Sequence, residues 1–253
     1  MANPLSYAVY KVVRGLARVF FRRPEYIGTE NLPEDPCVLV GNHAQMHGPV
    51  LSEVYLPGPH AVWCNAEMMD IRQVPDYAYR DFWSKKPARV RWLYRIASYL
   101  IAPVSACVFG NALCIPVYHD MRIVNTFRQS LSCLEEGKRI VIFPEQAVPH
   151  NHIVYDFQDR FIDLGRMYRG RAGRELPFVP MYVCPALGRV IFGRPVYCEP
   201  AASPEQARVR VKDALMEAVT TLADAQPRHR VVPYPNLPKR EYPYNHPGKE
   251  ETS

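Results

Sequence analysis

A histidine follows a short apolar run, at a position where α/β proteins often place reactive side chains. The run from Cys37 to Val40 ends at Gly41 and predicts a buried strand, and Asn42 and His43 come directly after it. In open α/β sheets, ligands bind beyond the carboxyl ends of the strands. An imidazole with a pKa near neutrality can take a proton from a hydroxyl and return it to a leaving group. The sequence therefore places an imidazole at the edge of the sheet where ligands bind.

Four blocks, each at the end of a predicted strand, occur in an order that resembles the lysophosphatidate (1-acylglycerol-3-phosphate) acyltransferase family. The blocks are Val40-Gly41-Asn42-His43, Ile115-Pro116-Val117 with Arg122, Ile142-Phe143-Pro144-Glu145, and Val179-Pro180-Met181-Tyr182-Val183. A further block, Phe192-Gly193-Arg194-Pro195-Val196, follows downstream. The resemblance spans residues 37 to 197.

The resemblance implies a fold and a reaction. The fold is a mixed α/β domain, similar to glycerol-3-phosphate acyltransferases, with a central sheet flanked by helices. In the reaction, His43 removes a proton from a lipid hydroxyl while that oxygen attacks the thioester of acyl-CoA or acyl carrier protein. We expect no cofactor besides this acyl thioester, and a lysolipid or related alcohol as the acceptor.

The resemblance also assigns residues to the acceptor. Arg122 matches the arginine associated with the acceptor's phosphate, and a guanidinium can hold phosphate through two parallel hydrogen bonds. Glu145 matches the glutamate that binds glycerol hydroxyls or orders the loop. The expected substrate-binding set is Asn42, Arg122, Phe143, Pro144, Glu145 and Gln146.

Two departures from the family pattern bear on activity. The family has an aspartate five positions after the histidine, where this chain has Gly48, and glycine can neither fix an imidazole tautomer nor stabilise its charged form. Candidate replacements are His47, Glu53 or a carboxylate that folding brings to the ring. After Glu145, the family's glycine and threonine are replaced by Gln146 and Ala147, which leaves the acceptor open. The alternative function is an inactive or weakly active homologue that binds lipid or acyl chains.

A metal-dependent hydrolase is a second alternative. His43 and His47 have the i, i+4 spacing of two ligands on one helix face, and His150 and His152 follow Glu145. Gly48 and Pro49 disfavour a regular helix through His43, and a glutamate directly after the first histidine is missing. We therefore predict no metal site.

The amino-terminal segment has the pattern of an amphipathic helix. Between Leu5 and Phe21 the residues are mostly apolar, and Lys11, Arg14, Arg18 and Arg22 form one basic stripe. Spanning a bilayer would place cations in hydrocarbon, so we expect this helix to lie in the interface of an anionic membrane at its cytoplasmic face. The alternative is that its apolar side packs on the protein's own core.

Composition bounds the remaining expectations. The net charge of +6 fits an anionic surface, and no nucleic-acid recognition motif accompanies it, so we expect no nucleic-acid partner. We divide the chain into an interfacial helix (1–23), an acyltransferase-like α/β domain (24–226) and a Pro-rich, extended or disordered tail (227–253).

The pattern also predicts the elements of that domain. Strands are expected at 113–117, 139–143 and 178–183, with a hairpin-like pair ending at 196. Helices are expected at 123–136, 157–168 and 205–225, and a buried or membrane-dipping helix pair at 92–109. Residues 61–91 give no clear pattern.

Overall fold

The computed structural model describes residues 4–83, 87–199 and 203–246. The strands are β1 (Glu25–Ile27), β2 (Val38–Gly41), β3 (His60–Asn65), β4 (Cys114–Val117), β5 (Arg139–Ile142), β6 (Glu145–Pro149), β7 (Tyr155–Phe157), β8 (Phe178–Cys184) and β9 (Arg189–Phe192). The helices are α1 (Pro4–Phe20), α2 (His47–Tyr55), α3 (Val74–Ala78), α4 (Arg91–Asn111), α5 (Ile123–Glu135), α6 (Asp163–Ala172) and α7 (Pro204–Asp224).

One sheet of seven strands organises the molecule, in the order β1-β9-β8-β2-β5-β3-β4. The strands from β8 to β4 are parallel, and β9 runs antiparallel to β8. Strands β6 and β7 form a separate antiparallel ladder. The prediction of a mixed central sheet flanked by helices is confirmed.

The central strands are apolar along their whole length because both faces of the sheet are covered. Side chains alternate between the faces, so Val38 and Val40 of β2 pack in one core cluster and Leu39 packs in the other. Every residue of β2 and β8 is buried. This fixes the register of the strand that carries His43 at its end, since a slip by one residue would exchange the two faces.

The expected helix pair at 92–109 is wrong. Residues Arg91–Asn111 form the single helix α4, with Pro103 inside it. Proline removes one backbone hydrogen bond and disfavours a helix interior. Burial of Ser98, Ala102 and Ser105 holds α4 against its neighbours on both sides of Pro103, and this packing outweighs the local preference.

The helix expected at 157–168 begins later than predicted. Phe157 ends β7, and α6 starts at Asp163. Phe157, Phe161, Leu164 and Tyr168 are all buried, so one apolar pattern runs through two different elements. Spacing alone could not separate them.

The Pro-rich tail is irregular, as expected, but its described part is packed rather than disordered. Val231 and Asn245 are buried, and an isolated antiparallel bridge joins Arg230 to Tyr244. Prolines restrict the unfolded chain, so ordering such a segment costs less entropy than ordering a flexible one. The rest of the predicted tail, 247–253, lies outside the described residues.

Candidate active site

His43 lies in the turn between β2 and α2, at the carboxyl end of the sheet. The two residues after it have left-handed backbones, with φ of 46° at Ala44 and 55° at Gln45. Such φ values are uncommon outside glycine, and strained backbone of this kind clusters at functional sites. The turn brings the Gln45 carbonyl back onto the His43 ring, where it contacts Nδ1.

This contact determines which ring nitrogen carries the proton. A carbonyl oxygen only accepts, so His43 Nδ1 must be the donor in the neutral ring. Nε2 then keeps its lone pair, and it has no hydrogen-bond partner among residues 4–83, 87–199 and 203–246. The arrangement leaves Nε2 as the basic nitrogen, which is the tautomer that a general base needs.

The surroundings of the ring are apolar. Phe143 and Tyr234 both approach His43 edge to face, with ring centroids 5.6 Å and 5.5 Å away. Burial lowers the pKa of His43 below its ordinary value, while the Gln45 carbonyl opposes this shift. The ring is therefore neutral at physiological pH.

Glu145 holds the backbone of the His43 turn through a hydrogen bond. Its Oε2 accepts a hydrogen bond from the backbone N–H of His43 at 2.5 Å, and its Oε1 accepts one from the backbone N–H of Tyr155 at 2.9 Å. The side chain is only 4% exposed, and burial raises its pKa to about 7. Both carboxylate oxygens are thus used by the protein itself, and Glu145 ties the end of β2 to β7.

The position of the missing aspartate has no space for a side chain. A Cβ atom at Gly48 would lie 2.6 Å from Phe143 Cε1 and 2.8 Å from the His43 carbonyl oxygen. Real Cβ contacts are essentially never that short, so Phe143 and the turn itself exclude a carboxylate here. The contact that fixes the His43 tautomer comes instead from the Gln45 carbonyl.

Asn42 fixes the end of β2. Its Nδ2 donates to the Val183 carbonyl at 3.0 Å, and its Oδ1 accepts from the Val183 N–H at 2.7 Å. The side chain therefore continues the pairing between β2 and β8 by one residue. Its amide is fully engaged and buried, which makes Asn42 a support for His43 rather than a substrate contact in this conformation.

The two expected substitutes for the aspartate lie elsewhere. The ring of His47 packs against Phe21, and its Nδ1 contacts the Ala44 carbonyl at 3.1 Å. Glu53 accepts a hydrogen bond from the hydroxyl of Tyr10 in α1. Both side chains thus serve contacts outside the His43 ring.

Arg122 lies at the surface after β4, three strand spacings along the sheet from β2 and His43. Strands β5 and β3 separate β2 from β4, so a strand spacing of about 4.8 Å puts the ends of β2 and β4 roughly 14 Å apart. Arg122 pairs with Asp120 at 2.7 Å and stacks on Tyr118.

The remaining expected residues are structural in this conformation. Pro144 is buried, and its carbonyl accepts from the Gln158 N–H at 2.9 Å. Gln146 donates to Asp156 at 2.6 Å, and Asp156 also pairs with Lys212. These contacts fix the ladder of β6 and β7 beside the site.

Several aromatic residues at the site had no clear signal in the sequence. Tyr234, from the Pro-rich segment, lies between the rings of His43 and Tyr155. Burial raises the pKa of Tyr77 in α3, and Asp81 and Tyr234 raise it further. The aromatic residues in 227–246 could have indicated that this segment is ordered, because disordered Pro-rich segments contain few of them.

The metal-ligand set considered from the sequence is not assembled. His152 Nε2 lies 2.8 Å from the Asn245 carbonyl, and His47 faces Phe21. No cluster of three or more His, Cys, Asp or Glu side chains suited to a metal occurs in the described part of the chain.

Comparisons with known proteins find similar solved structures. No protein-family model matches the chain, and no curated protein matches it. The structure is similar to the crystal structure of the 1-acyl-sn-glycerophosphate (LPA) acyltransferase, PlsC, from Thermotoga maritima, with a TM-score of 0.46 and 16% identity. The match covers 87% of this chain and 82% of that chain. An identity this low assigns no activity to the chain.

Proposed function

We propose that this chain is an O-acyltransferase acting at a membrane surface. It would move a fatty acyl group from acyl-CoA or acyl carrier protein to a hydroxyl of a lysophospholipid or a related acceptor. The proposal rests on one observation above the others. The Gln45 carbonyl holds His43 Nδ1 and leaves Nε2 as a free base at the carboxyl end of the sheet.

The chemistry requires a single residue to move the proton. His43 Nε2 takes the proton of the acceptor hydroxyl as the oxygen attacks the thioester carbonyl carbon. The tetrahedral intermediate then collapses, the carbon–sulfur bond breaks, and Nε2–H returns the proton to the departing thiolate. The lowered pKa of His43 keeps the ring unprotonated at the start of this cycle.

The absence of an aspartate at position 48 affects the stabilisation of the imidazolium but not the choice of tautomer. A carbonyl fixes the tautomer as an aspartate would, but it carries no full charge and stabilises the imidazolium less. We therefore expect a slower reaction than a histidine–aspartate pair would give. Arg122 is the candidate for the acceptor's phosphate, because it is exposed and its partner Asp120 is also at the surface.

Thiol release from acyl thioesters tests the proposal directly. Purified protein would be offered acyl-CoA or acyl carrier protein thioesters together with lysolipids or simple alcohols. Wild-type protein should release thiol, His43→Ala should abolish release, and His47→Ala should retain it, since the His47 ring packs on Phe21. No release by wild-type protein above a heat-killed control would refute the enzyme proposal.

The second candidate is a lipid- or acyl-binding homologue without turnover. The neutral partner of His43 and the two aromatic rings beside it favour this alternative. Binding of a fluorescent acyl chain without thiol release would distinguish it from the enzyme. Gly48→Asp, which could restore activity in a decayed site, is unsuitable here because the position has no space.

Membrane association would involve two adjacent helices. Helices α1 and α4 are joined by Asn111 Nδ2, which donates to the Ser6 hydroxyl at 2.6 Å. Both expose apolar side chains, including Leu16, Val19 and Phe20 of α1 and Trp92, Ile96, Tyr99 and Leu100 of α4. In α1, Val9, Val12, Leu16, Val19 and Phe20 lie on one face of the helix, and all five side chains are exposed.

The basic stripe supplies the electrostatic part of this contact. Lys11 and Arg18 of this stripe are exposed. In the described part of the chain, Ala88–Asn111 is also long and apolar enough to cross a bilayer, although length and composition alone are weak evidence. We favour a location in the interface, at the cytoplasmic face, because the cations of α1 would be costly in hydrocarbon.

Vesicle flotation tests membrane association without disturbing the fold. Leu16→Asp with Val19→Asp should release the protein from anionic vesicles, because both residues are exposed and their loss leaves the core intact. This pair is preferable to deletion of residues 1–23, which would also remove the buried Tyr10. Unchanged flotation of the double variant would contradict the proposal.

A further inference from the structure

The irregular segment after α7 closes on itself over the candidate site. We define residues 229–245 as the C-terminal strap. Its two ends are joined because the His229 N–H donates to Asn245 Oδ1 at 2.8 Å and the Asn245 N–H donates to the His229 carbonyl at 3.1 Å. A second bond runs from the Val231 N–H to the Pro243 carbonyl at 2.8 Å. The strap is thus a closed loop with a fixed base.

The base of the strap is anchored in the domain core. Asn245 is fully buried, and its Nδ2 donates to the Ala223 carbonyl of α7 at 3.0 Å. His229 is 5% exposed, and its Nε2 accepts a hydrogen bond from the hydroxyl of Tyr182 in β8 at 2.7 Å. Its Nδ1 donates to the Pro227 carbonyl at 2.8 Å, which fixes this tautomer. Buried polar groups that are all satisfied in this way specify one arrangement.

The upper part of the strap reaches the turn that holds His43. The side-chain Nε2 of Gln45 donates to the Tyr242 hydroxyl at 2.9 Å and approaches the Pro235 carbonyl at 3.4 Å. The ring of Tyr234 lies edge-on to the His43 ring. Gln45 therefore has two contacts of different kinds, one from its carbonyl to His43 and one from its side chain to the strap.

We propose that Tyr242 is a positioning residue that acts on His43 through Gln45. The left-handed backbone at Gln45 is unfavourable for this residue type and needs support from its surroundings. The hydrogen bond to Tyr242 supplies that support at the side-chain end. With the side chain held, the Gln45 carbonyl stays on Nδ1 and Nε2 stays free. The catalytic consequence rests on the proposed acyl transfer, but the effect on the ring tautomer does not.

Tyr242→Phe removes only the hydroxyl that accepts from Gln45. Tyr244→Phe is the matched control, because Tyr244 belongs to the same strap but meets Arg228 and Arg230 at the surface. Nitrogen-15 NMR of the imidazole should place the proton on Nδ1 in the wild type and in Tyr244→Phe, and a mixture of tautomers in Tyr242→Phe. The kcat for thiol release should fall about threefold to tenfold in Tyr242→Phe, with KM unchanged.

A second variant removes the hydrogen bond between Gln45 and Tyr242 by changing Gln45. Gln45→Met keeps the side-chain length and removes the amide, so it should reproduce the tautomer mixture even if Tyr242→Phe folds poorly. The double variant should be no worse than Gln45→Met alone, since Gln45→Met already removes the hydrogen bond to Tyr242 together with the contact to Pro235. If both variants keep the wild-type NMR pattern, or if either raises kcat, the inference is wrong. An inactive wild type would refute acyl transfer alone, because the NMR result stands independently.

Discussion

Replacing Glu145 with glutamine should change how stability depends on pH. The carboxyl is 4% exposed, and burial raises its pKa from 4.5 to about 7. The folded state therefore holds a proton between these two pH values that the unfolded chain has already lost. The stabilisation is complete below pH 4.5 and is lost as the pH rises through 7. A shift of about 2.5 units corresponds to roughly 3 kcal/mol of unfolding free energy.

Glutamine has no charge, so Glu145→Gln should abolish this dependence. Its amide cannot accept from both the His43 and the Tyr155 N–H groups, which should cost about 1–3 kcal/mol at low pH. Wild type should thus be the more stable protein at pH 4.5, and its advantage should shrink by roughly 3 kcal/mol toward pH 8.

Urea unfolding of the two proteins from pH 4.5 to 8.5 measures this difference. Subtracting one curve from the other cancels the titration of all other groups. Glu136→Gln is the control, because the Lys138 side chain lowers the pKa of the exposed Glu136. The difference in unfolding free energy between wild type and Glu136→Gln should therefore not shrink as the pH rises. A constant difference between wild type and Glu145→Gln would refute the assignment of a buried, protonated carboxyl.

Four further predictions concern the turn and the strap. Gly48→Ala should lower the unfolding free energy by about 1–3 kcal/mol in urea titrations, because its Cβ would clash with the Phe143 ring. For the same reason, Gly48→Asp should not raise activity. The acid limb of kcat/KM against pH should lie below pH 6.5, since burial lowers the pKa of His43 and the neutral ring is the base. Asn42→Ala should reduce thermal stability, as unpaired backbone groups of β8 would remain buried. Asn245→Ala should accelerate proteolysis within the strap before the rest of the chain, because the side chain joins its two ends.

The sheet around His43 could be predicted because its signals are local. Strands β2, β5 and β8 appear as short apolar runs bounded by turn residues, and burial on both faces makes such runs continuous. Parallel neighbours end at the same edge, so the position of His43 and Glu145 at that edge followed from the strands. The residue types at the end of each strand thus predicted that His43 and Glu145 are neighbours, which the hydrogen bond between them shows.

The partner of the His43 ring could not be predicted in the same way. A search for a replacement aspartate considers acidic or basic side chains, and it led to His47 and Glu53, whose contacts lie elsewhere. The actual partner is the carbonyl of Gln45, a group that every residue has. Only the left-handed turn brings it to the ring, and φ values at non-glycine residues have no signature in a single sequence.

The orientation of a catalytic base that is held by a main-chain carbonyl depends on more residues than that of a base held by one side chain. Substitution of a single aspartate would remove a side-chain contact of that kind. The position of the Gln45 carbonyl instead depends on the conformation of the whole turn. Gly48 gives the turn its space, Glu145 holds the His43 N–H, and Tyr242 holds the Gln45 side chain. A glycine at position 48 is therefore compatible with an ordered site, because the hydrogen bonds of Glu145 and Tyr242 hold the turn whose Gln45 carbonyl fixes the His43 tautomer.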